Sequence, residues 1–387
     1  MVSNYELRLY DTRLLSFELM SDPAVGYSVK ILHADESSAL FPLDLELTGE
    51  GILKWLGRRV IPKNRTFVEE ILHTFGLTTG DTKGIIDVCK GLSLNDSYWI
   101  VPEGFNGKFA DYNLYENRFS EILSLVAYTG VTQSDAAFST SPELTTDGML
   151  PKAWRFLEGE GIFLYKGGTS GFANTGKEPY SEFYASQVAA AMDISAVRYD
   201  LENWKGILAS KCKLFTDIDT AFIPIGRIVK SGGISAVIDY YKKLGTHFAD
   251  ALRDMLIFDA LIYNEDRHFG NFGLLRNNHT GEITAPAPIF DNGIALFSFA
   301  MADDYKNLDE YAKTRTPVYG GTTFEGICGA YMTLRQTKKL RKMLSFSFER
   351  HQKMNLPEDH LVAIEKHLRK RASQLIGLAK SVKSQNP

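Results

Sequence analysis

The chain has 387 residues, 44% of them apolar and 12% aromatic, enough to fill two or three domains of ordinary size. Its net charge of −4, with both signs mixed along the chain, excludes recruitment of nucleic acid or a membrane by bulk charge, so a specific site must carry the function. Cys89, Cys212 and Cys328 are an odd set far apart in sequence and support neither a disulfide framework nor a zinc cluster. The start, MVSNYELRLYDTR, is charged where a signal peptide needs an apolar run, and no later segment is long and apolar enough to span a bilayer, so a cytoplasmic chain is expected.

Residues 7–33 read as two or three short strands, since LLSFELMS and YSVKILHA alternate apolar positions around the turn signal Ser21-Asp22-Pro23. Ile52, Trp55 and Leu56 mark one short helix, and Phe67, Ile71 and Phe75 mark a second that ends at Gly76. After SYWIVPEG, the spacing of Leu114, Phe119, Ile122 and Val126 predicts a helix over 112–127. Residues 1–127 thus read as a small α+β module without chemistry of its own. Residues 128–148, dominated by Ser, Thr, Gly and Asp, read as a linker or loop. From Ala153 to about Arg227 the pattern is strand, strand, helix, strand, strand; beyond Ser231 it is mostly helix, with one hairpin near residue 280. The order predicts a small β-rich lobe, residues 128–230, followed by a helical lobe, residues 231–387.

The chemistry is concentrated in YNEDRHFGNFGLLRNNHTGEITAPAPIFDNG, residues 263–293. Phe248, Leu252, Met255, Leu256 and Ile262 predict a buried helix that stops near Tyr263, where Asn264, Asp266 and Gly270 favour a loop. Two apolar runs joined by RNNHTGE predict a hairpin that returns Asp291 towards Asn271. Phosphoryl transfer asks a protein for one group to accept the nucleophile's proton and for hard oxygen ligands to magnesium. Asp266, Asn271 and Asp291 supply that set. The five-residue step from Asp266 to Asn271 equals the step from base to metal ligand in the kinase loop H-R-D-x-x-x-x-N, and Asp291-Asn292-Gly293 stands where D-F-G follows. His268 and Arg267 read as braces of this loop, Arg267 also as a partner for a phosphorylated segment.

A kinase further needs a cation on the nucleotide phosphates, normally a strand lysine oriented by a helical carboxylate. In GIFLYKGG, Lys166 alternates on one face with Ile162 and Leu164, and Glu182 opens the helix EFYASQVAAAM sixteen residues later, placed to pair with it. The other reading of each is bland: a strand lysine snorkelling to water, and a solvated first-turn carboxylate. Upstream, TTDGMLPKAW offers Gly148 for close approach to phosphate and Lys152 as a second cation.

The run N-x-D-R-H-x-x-N-x-G from Asn264 to Gly273, followed by Pro-Ile-Phe-Asp at 288–291, resembles the HipA-like serine/threonine kinases, including a stand-alone secreted type. The DGMLPKA turn, the lysine strand, SEFYASQVA and the strand SKCKLFT extend the resemblance over roughly residues 140–300. It implies an α+β, two-lobed protein-kinase-like fold, with ATP and Mg2+ as cofactors and a protein serine or threonine as acceptor, often with autophosphorylation. It also implies roles: Asp266 as base, Asn271 and Asp291 as magnesium ligands, Lys166 on phosphate with Glu182 as its partner, and Phe215 beside the adenine hinge. Thr145 or Thr146 would lie near the family's regulatory phosphosite. The resemblance departs in the first 110 residues and in the Thr-Thr-Asp-Gly of the phosphate turn, which leaves toxicity, the target and a separate antitoxin partner open. A small-molecule or lipid kinase and a catalytically silent ATP-binding regulator are the competing readings. In the tail, KKLRK at 338–342 and HLRKRAS at 367–373 read as solvated faces of helices whose Leu340, Leu344, Ile364, Leu368 and Leu375 face inward, so no direct nucleic-acid binding is expected. Phe346, Phe348 and Met354 read as core.

Overall fold

The computed structural model describes residues 2–385 other than 23, 25 and 132–140, with side chains through residue 378; residues 132–140 of the predicted linker therefore lie outside the described residues. The chain opens with β1 (Val2–Leu9), β2 (Thr12–Asp22) and β3 (Gly26–Ala34), longer strands than the sequence signalled. Their first turn, Tyr10-Asp11, lacks Gly and Pro, and Tyr10 itself takes the left-handed φ of 50°. Then follow α1 (Gly49–Gly57), α2 (Val68–His73), α3 (Thr82–Cys89), β4 (Tyr98–Pro102) and α4 (Glu121–Thr129). Next come β5 (Lys152–Leu157), β6 (Gly161–Lys166), α5 (Glu178–Ala191), β7 (Tyr199–Trp204), β8 (Ile207–Lys213), β9 (Thr220–Pro224) and α6 (Ile225–Ile228). After α7 (Gly233–Leu244) and α8 (Thr246–Ile262) stand β10 (Gly273–Asn277) and β11 (Ile283–Pro286). The tail holds α9 (Leu308–Ala312), α10 (Phe324–Tyr331), α11 (Leu334–Arg341) and α12 (Glu358–Gln385).

These elements form two compact units: residues 1–166, 214–223 and 274–284 make the first, and residues 167–213, 224–273 and 285–387 the second. In the first, β3-β2-β1-β4 is an antiparallel sheet. Leu7, Leu9, Leu15 and Phe17 bury one side of it against Ile52, Trp55 and Leu56 of α1. That helix starts where Thr48 accepts the Gly51 N–H, a side-chain cap for an otherwise unpaired donor. A second cluster around Trp99, Val101 and Leu114 runs on into Ile162, with Trp154 and Phe156 packed against it, so the β5–β6 hairpin shares a core with the N-terminal strands.

The helix predicted over 112–127 begins only at Glu121, where Ser120 caps the Leu123 N–H. Upstream, Asn113 Oδ1 accepts the N–H groups of both Tyr115 and Glu116, a local turn that competes with helix. The predicted hairpin is present: β10 lies between β11 and β9. Its loop is tied down by Arg276, which donates to the carbonyls of Gly281 (2.7 Å) and Ala39 (2.6 Å) and to the Tyr98 hydroxyl (2.7 Å).

The second unit is built on α8, whose Leu256, Ile257, Phe258, Leu261 and Ile262 are each at most 1% exposed and which packs against α7, α10 and α12. Leu340, Ile364, Leu368 and Leu375 face inward, but Leu344 is 47% exposed. The reason is a change of period: α11 stops at Arg341, and Lys342–Ser345 is a tighter 3-10 turn that buries Met343 in its place. Phe346 and Phe348 are buried and Met354 is half-buried. All three cysteines are buried thiols. Among the described residues no helix is long and apolar enough to cross a membrane.

Gly281 has φ +77°, and a Cβ there would lie 2.4 Å from the Ala39 carbonyl oxygen. Gly281→Ala should therefore destabilise the protein by about 1–3 kcal/mol, measured as a lower denaturant midpoint with an unchanged m-value.

Candidate active site

Helix α8 ends where Tyr263 takes a left-handed φ of 53° and sends its N–H back to the Asp259 carbonyl. The next nine residues, 264–272, have no regular ladder, and side chains add to the few main-chain bonds that hold them. Asn264 Oδ1 accepts the Asp266 N–H at 3.0 Å, and Asn271 Nδ2 donates to the Asp266 carbonyl at 3.0 Å. The five-residue step read in the sequence thus closes on itself, and the hydrogen bond from Nδ2 fixes the amide of Asn271. His268 is exposed and its Nδ1 accepts the Gly270 N–H at 3.0 Å, a brace of the loop.

Arg267, 1% exposed, is the centre of the arrangement. Its Nε and Nη2 donate to Asp259 at 3.1 Å. Nη2 also donates to Asn292 Oδ1 at 2.5 Å, and Nη1 donates to the carbonyls of Asn271 (3.1 Å), Asp291 (3.4 Å) and Phe290. One atom therefore serves main chain on both sides of the β10–β11 hairpin. The carbonyls of Asn271 and Asp291 can be no farther apart than those two bonds reach. Burial alone would push this guanidinium's pKa down, but the charge and hydrogen bonds of Asp259 hold it above its ordinary value, so it stays a cation.

Asp291 itself has φ 57°, uncommon for a residue with a Cβ. Three neighbours hold it there: Tyr199 Oη accepts the Asp291 N–H at 3.2 Å, Glu182 accepts the Asn292 N–H at 2.7 Å, and Ser181 Oγ donates to the Asn292 carbonyl at 2.6 Å. Burial, then the negative charges of Glu182 and Asp291, keep the Tyr199 phenol well above its ordinary pKa, so it remains neutral. Glu182 is completely buried, not a solvated first-turn carboxylate. Asp266 and Asp291 are half-buried. Among the described residues no group of three or more His, Cys, Asp or Glu comes together as a metal cage. One Asp with one Asn is the ligand set magnesium uses when phosphate oxygens and water complete its shell.

In the first unit, Lys152 and Lys166 are directly opposed across the β5–β6 hairpin, so both side chains leave the same face. They are 7% and 9% exposed, and Lys166 is therefore no snorkelling strand lysine. Lys152 Nζ donates to the Asp147 carbonyl at 2.7 Å. Gly148 has φ +92°, a conformation that favours glycine, and a Cβ there would fall 2.1 Å from that ammonium and displace it. Phe215 lies just beyond β8, half-buried, its ring edge-on to Phe222 at 5.5 Å.

No family model matches the chain. The serine/threonine-protein kinase CtkA of Helicobacter pylori is 28% identical over 153 residues, which cover 34% of this chain and 46% of CtkA, so the chain spans under half of that relative's length. Among solved structures, that of the proinflammatory kinase CtkA of H. pylori covers 62% of this chain and 94% of its own at 18% identity, with a TM-score of 0.47. The HipA toxin of Shewanella oneidensis MR-1, solved with HipB and operator DNA, matches 98% of this chain and 99% of its own at 15% identity, with a TM-score of 0.56. The fold is HipA-like. The fold likeness covers nearly the whole chain and so takes in the first 110 residues, where the motif resemblance departs.

Sequence reading missed three residues that shape this site. Asp259 is legible in hindsight as a lone charge in M-L-I-F-D-A-L-I. Tyr199 gave no signal. Glu178, 2% exposed, accepts the N–H and hydroxyl of Thr169 at 3.1 and 2.6 Å and so fixes the glycine-rich segment after β6. Arg267→Met, which leaves Asp259 buried without its counter-charge, should cost about 3–5 kcal/mol in chemical denaturation, and Arg267→Met with Asp259→Leu should recover much of it.

Proposed function

We propose that this chain is an ATP- and magnesium-dependent phosphotransferase, a serine/threonine kinase that phosphorylates protein hydroxyls, its own included. The observation that carries the reading is the knot around Arg267: a single buried guanidinium engages the main chain of Asn271 and Asp291, and Asn271 in turn closes on Asp266. That is the residue set, in the order, that phosphoryl transfer requires. The match to CtkA and the likeness to HipA support the same class.

Bound ATP would supply the phosphoryl group, and Mg2+ the positive charge that bridges its phosphates. Asn271 Oδ1 and the Asp291 carboxylate are assigned to the metal. Asp266 is assigned as the base: its carboxylate would take the proton of the acceptor hydroxyl as that oxygen bonds to the γ-phosphorus and the bond from phosphorus to the departing ADP oxygen breaks. In the first unit, Lys166 and Lys152 are assigned to phosphate oxygens, Gly148 to the close approach of the turn, and Phe215 to the adenine. Glu182, in the second unit, has the duty of accepting the Asn292 N–H, which keeps Asp291 in its left-handed conformation. A separate antitoxin protein, in the manner of HipB with the Shewanella HipA, belongs to the same reading.

Asp291→Ala should abolish magnesium-dependent ATP binding in a titration, while Asp266→Ala should keep binding and lower transfer by about 10²–10⁴-fold. Incubation with labelled ATP, alone and with bacterial lysate, should put label on protein. Label confined to the lipid or small-metabolite fraction would sink the protein-kinase assignment, and ATP binding without any turnover would sink the enzyme. Mass spectrometry should find phosphate within residues 139–146 of the wild type and none in the Asp266 variant.

A further inference from the structure

Residues 141–151, ahead of β5, hold only one short 3-10 turn, Pro142–Leu144, so most of their main-chain groups must find partners elsewhere. The carbonyls of Glu143, Thr146, Met149 and Lys152 all accept from two adjacent residues of the N-terminal segment, Arg65 and Thr66. Arg65 Nη1 donates to the carbonyls of Glu143 (2.6 Å) and Thr146 (3.5 Å), and Nη2 donates to that of Lys152 (3.0 Å). Thr66 sends both its N–H (2.9 Å) and its hydroxyl (2.7 Å) to Met149. The Glu143 carboxylate pairs with Nη2 of Arg65, and its second oxygen accepts the Trp154 N–H at 2.7 Å. Both side chains of the pair are 0% exposed.

A fully buried ion pair is a poor source of net stability, because desolvation offsets its attraction. What this pair does provide is direction. A trans peptide points its C=O and the following N–H to opposite sides. Each carbonyl drawn onto Arg65 or Thr66 therefore turns the next amide away from them, the N–H groups of Asp147 and Leu150 included. The same turn holds Gly148 beside the Lys152 ammonium. Outward amides next to a lysine and a positive-φ glycine form an oxyanion-binding surface.

We infer that Arg65 and Thr66 are positioning residues for nucleotide binding: they clamp the carbonyl side of the turn at 143–152 so that its amide side is preset for the phosphates of ATP. The inference rests on the functional reading above, and it makes the first 127 residues a working part of the nucleotide site. Burial raises the Glu143 pKa against the pull of Arg65, so the pair is best altered together.

Two full-length variants test it, Arg65→Met with Glu143→Leu, which replaces the pair by apolar groups of similar size, and Thr66→Val, which removes one hydroxyl and leaves the pair intact. In each, amide exchange over 143–153 without nucleotide should quicken. ATP–Mg2+ affinity should fall, by about tenfold or more in the first variant and two- to fivefold in the second, while kcat at saturating ATP changes by less than about twofold. Faster exchange with unchanged affinity, or unchanged exchange in both variants, overturns the clamp. A wild type that binds no ATP overturns the functional reading and the affinity claim with it, whereas amide exchange still decides by itself whether Arg65 and Thr66 order the turn.

Discussion

A guanidinium buried to 1% exposure must satisfy its donors locally, and Arg267 does so on groups from separate stretches of chain: Asp259 in α8, Asn271 after the loop, and Phe290, Asp291 and Asn292 beyond the hairpin. These stretches have no ladder to join them. Fixing their backbones costs roughly 1–2 kcal/mol per residue in entropy, and a planar fork with five donors can repay that at several points at once. Asp259 makes the burial tolerable by keeping the fork charged. Without this pair, Asn271 and Asp291 would be referred to each other only through the β10–β11 hairpin and a few main-chain bonds such as Glu265 N–H to the Ile294 carbonyl.

The same device recurs. Arg65 spans four acceptors on the turn at 143–152, Arg276 joins Gly281, Ala39 and Tyr98, and Arg59 forms a double contact with Asp96 while donating to the Gly91 carbonyl. In each case the guanidinium is at most 3% exposed and its acceptors lie mainly in loops. Lysine could not substitute, since one compact ammonium cannot reach acceptors so spread in one plane. Loops that need a fixed shape without strands or helices are here built around arginine.

Much of this was legible in the sequence, because it follows from local rules. Apolar spacing placed α1 and α8, loop-forming residues ended α8 at Tyr263, and RNNHTGE announced the hairpin between β10 and β11. The order and spacing of Asp266, Asn271 and Asp291 carried the chemistry. What escaped was non-local or a competition between local rules. The Asn113 turn overrode a helical pattern, and a 3-10 turn exposed Leu344 where a continuous helix would bury it. The partnership of Arg65 with Glu143 spans 78 residues and leaves no periodic trace. Residues 1–127 therefore looked chemically empty, although their side chains shape the turn at 143–152.

The first unit gathers residues 1–166 with two later stretches, 214–223 and 274–284. A ribosome makes this chain in one direction, at about 5–20 residues per second, so the N-terminal sheet and its neighbours are synthesised on the order of ten seconds before their last strands exist. During that interval Arg276 with its acceptor Gly281, and β10 and β11 of the three-stranded sheet, are missing. A gene cut after residue 166 would therefore encode the first unit without the two later stretches that complete it.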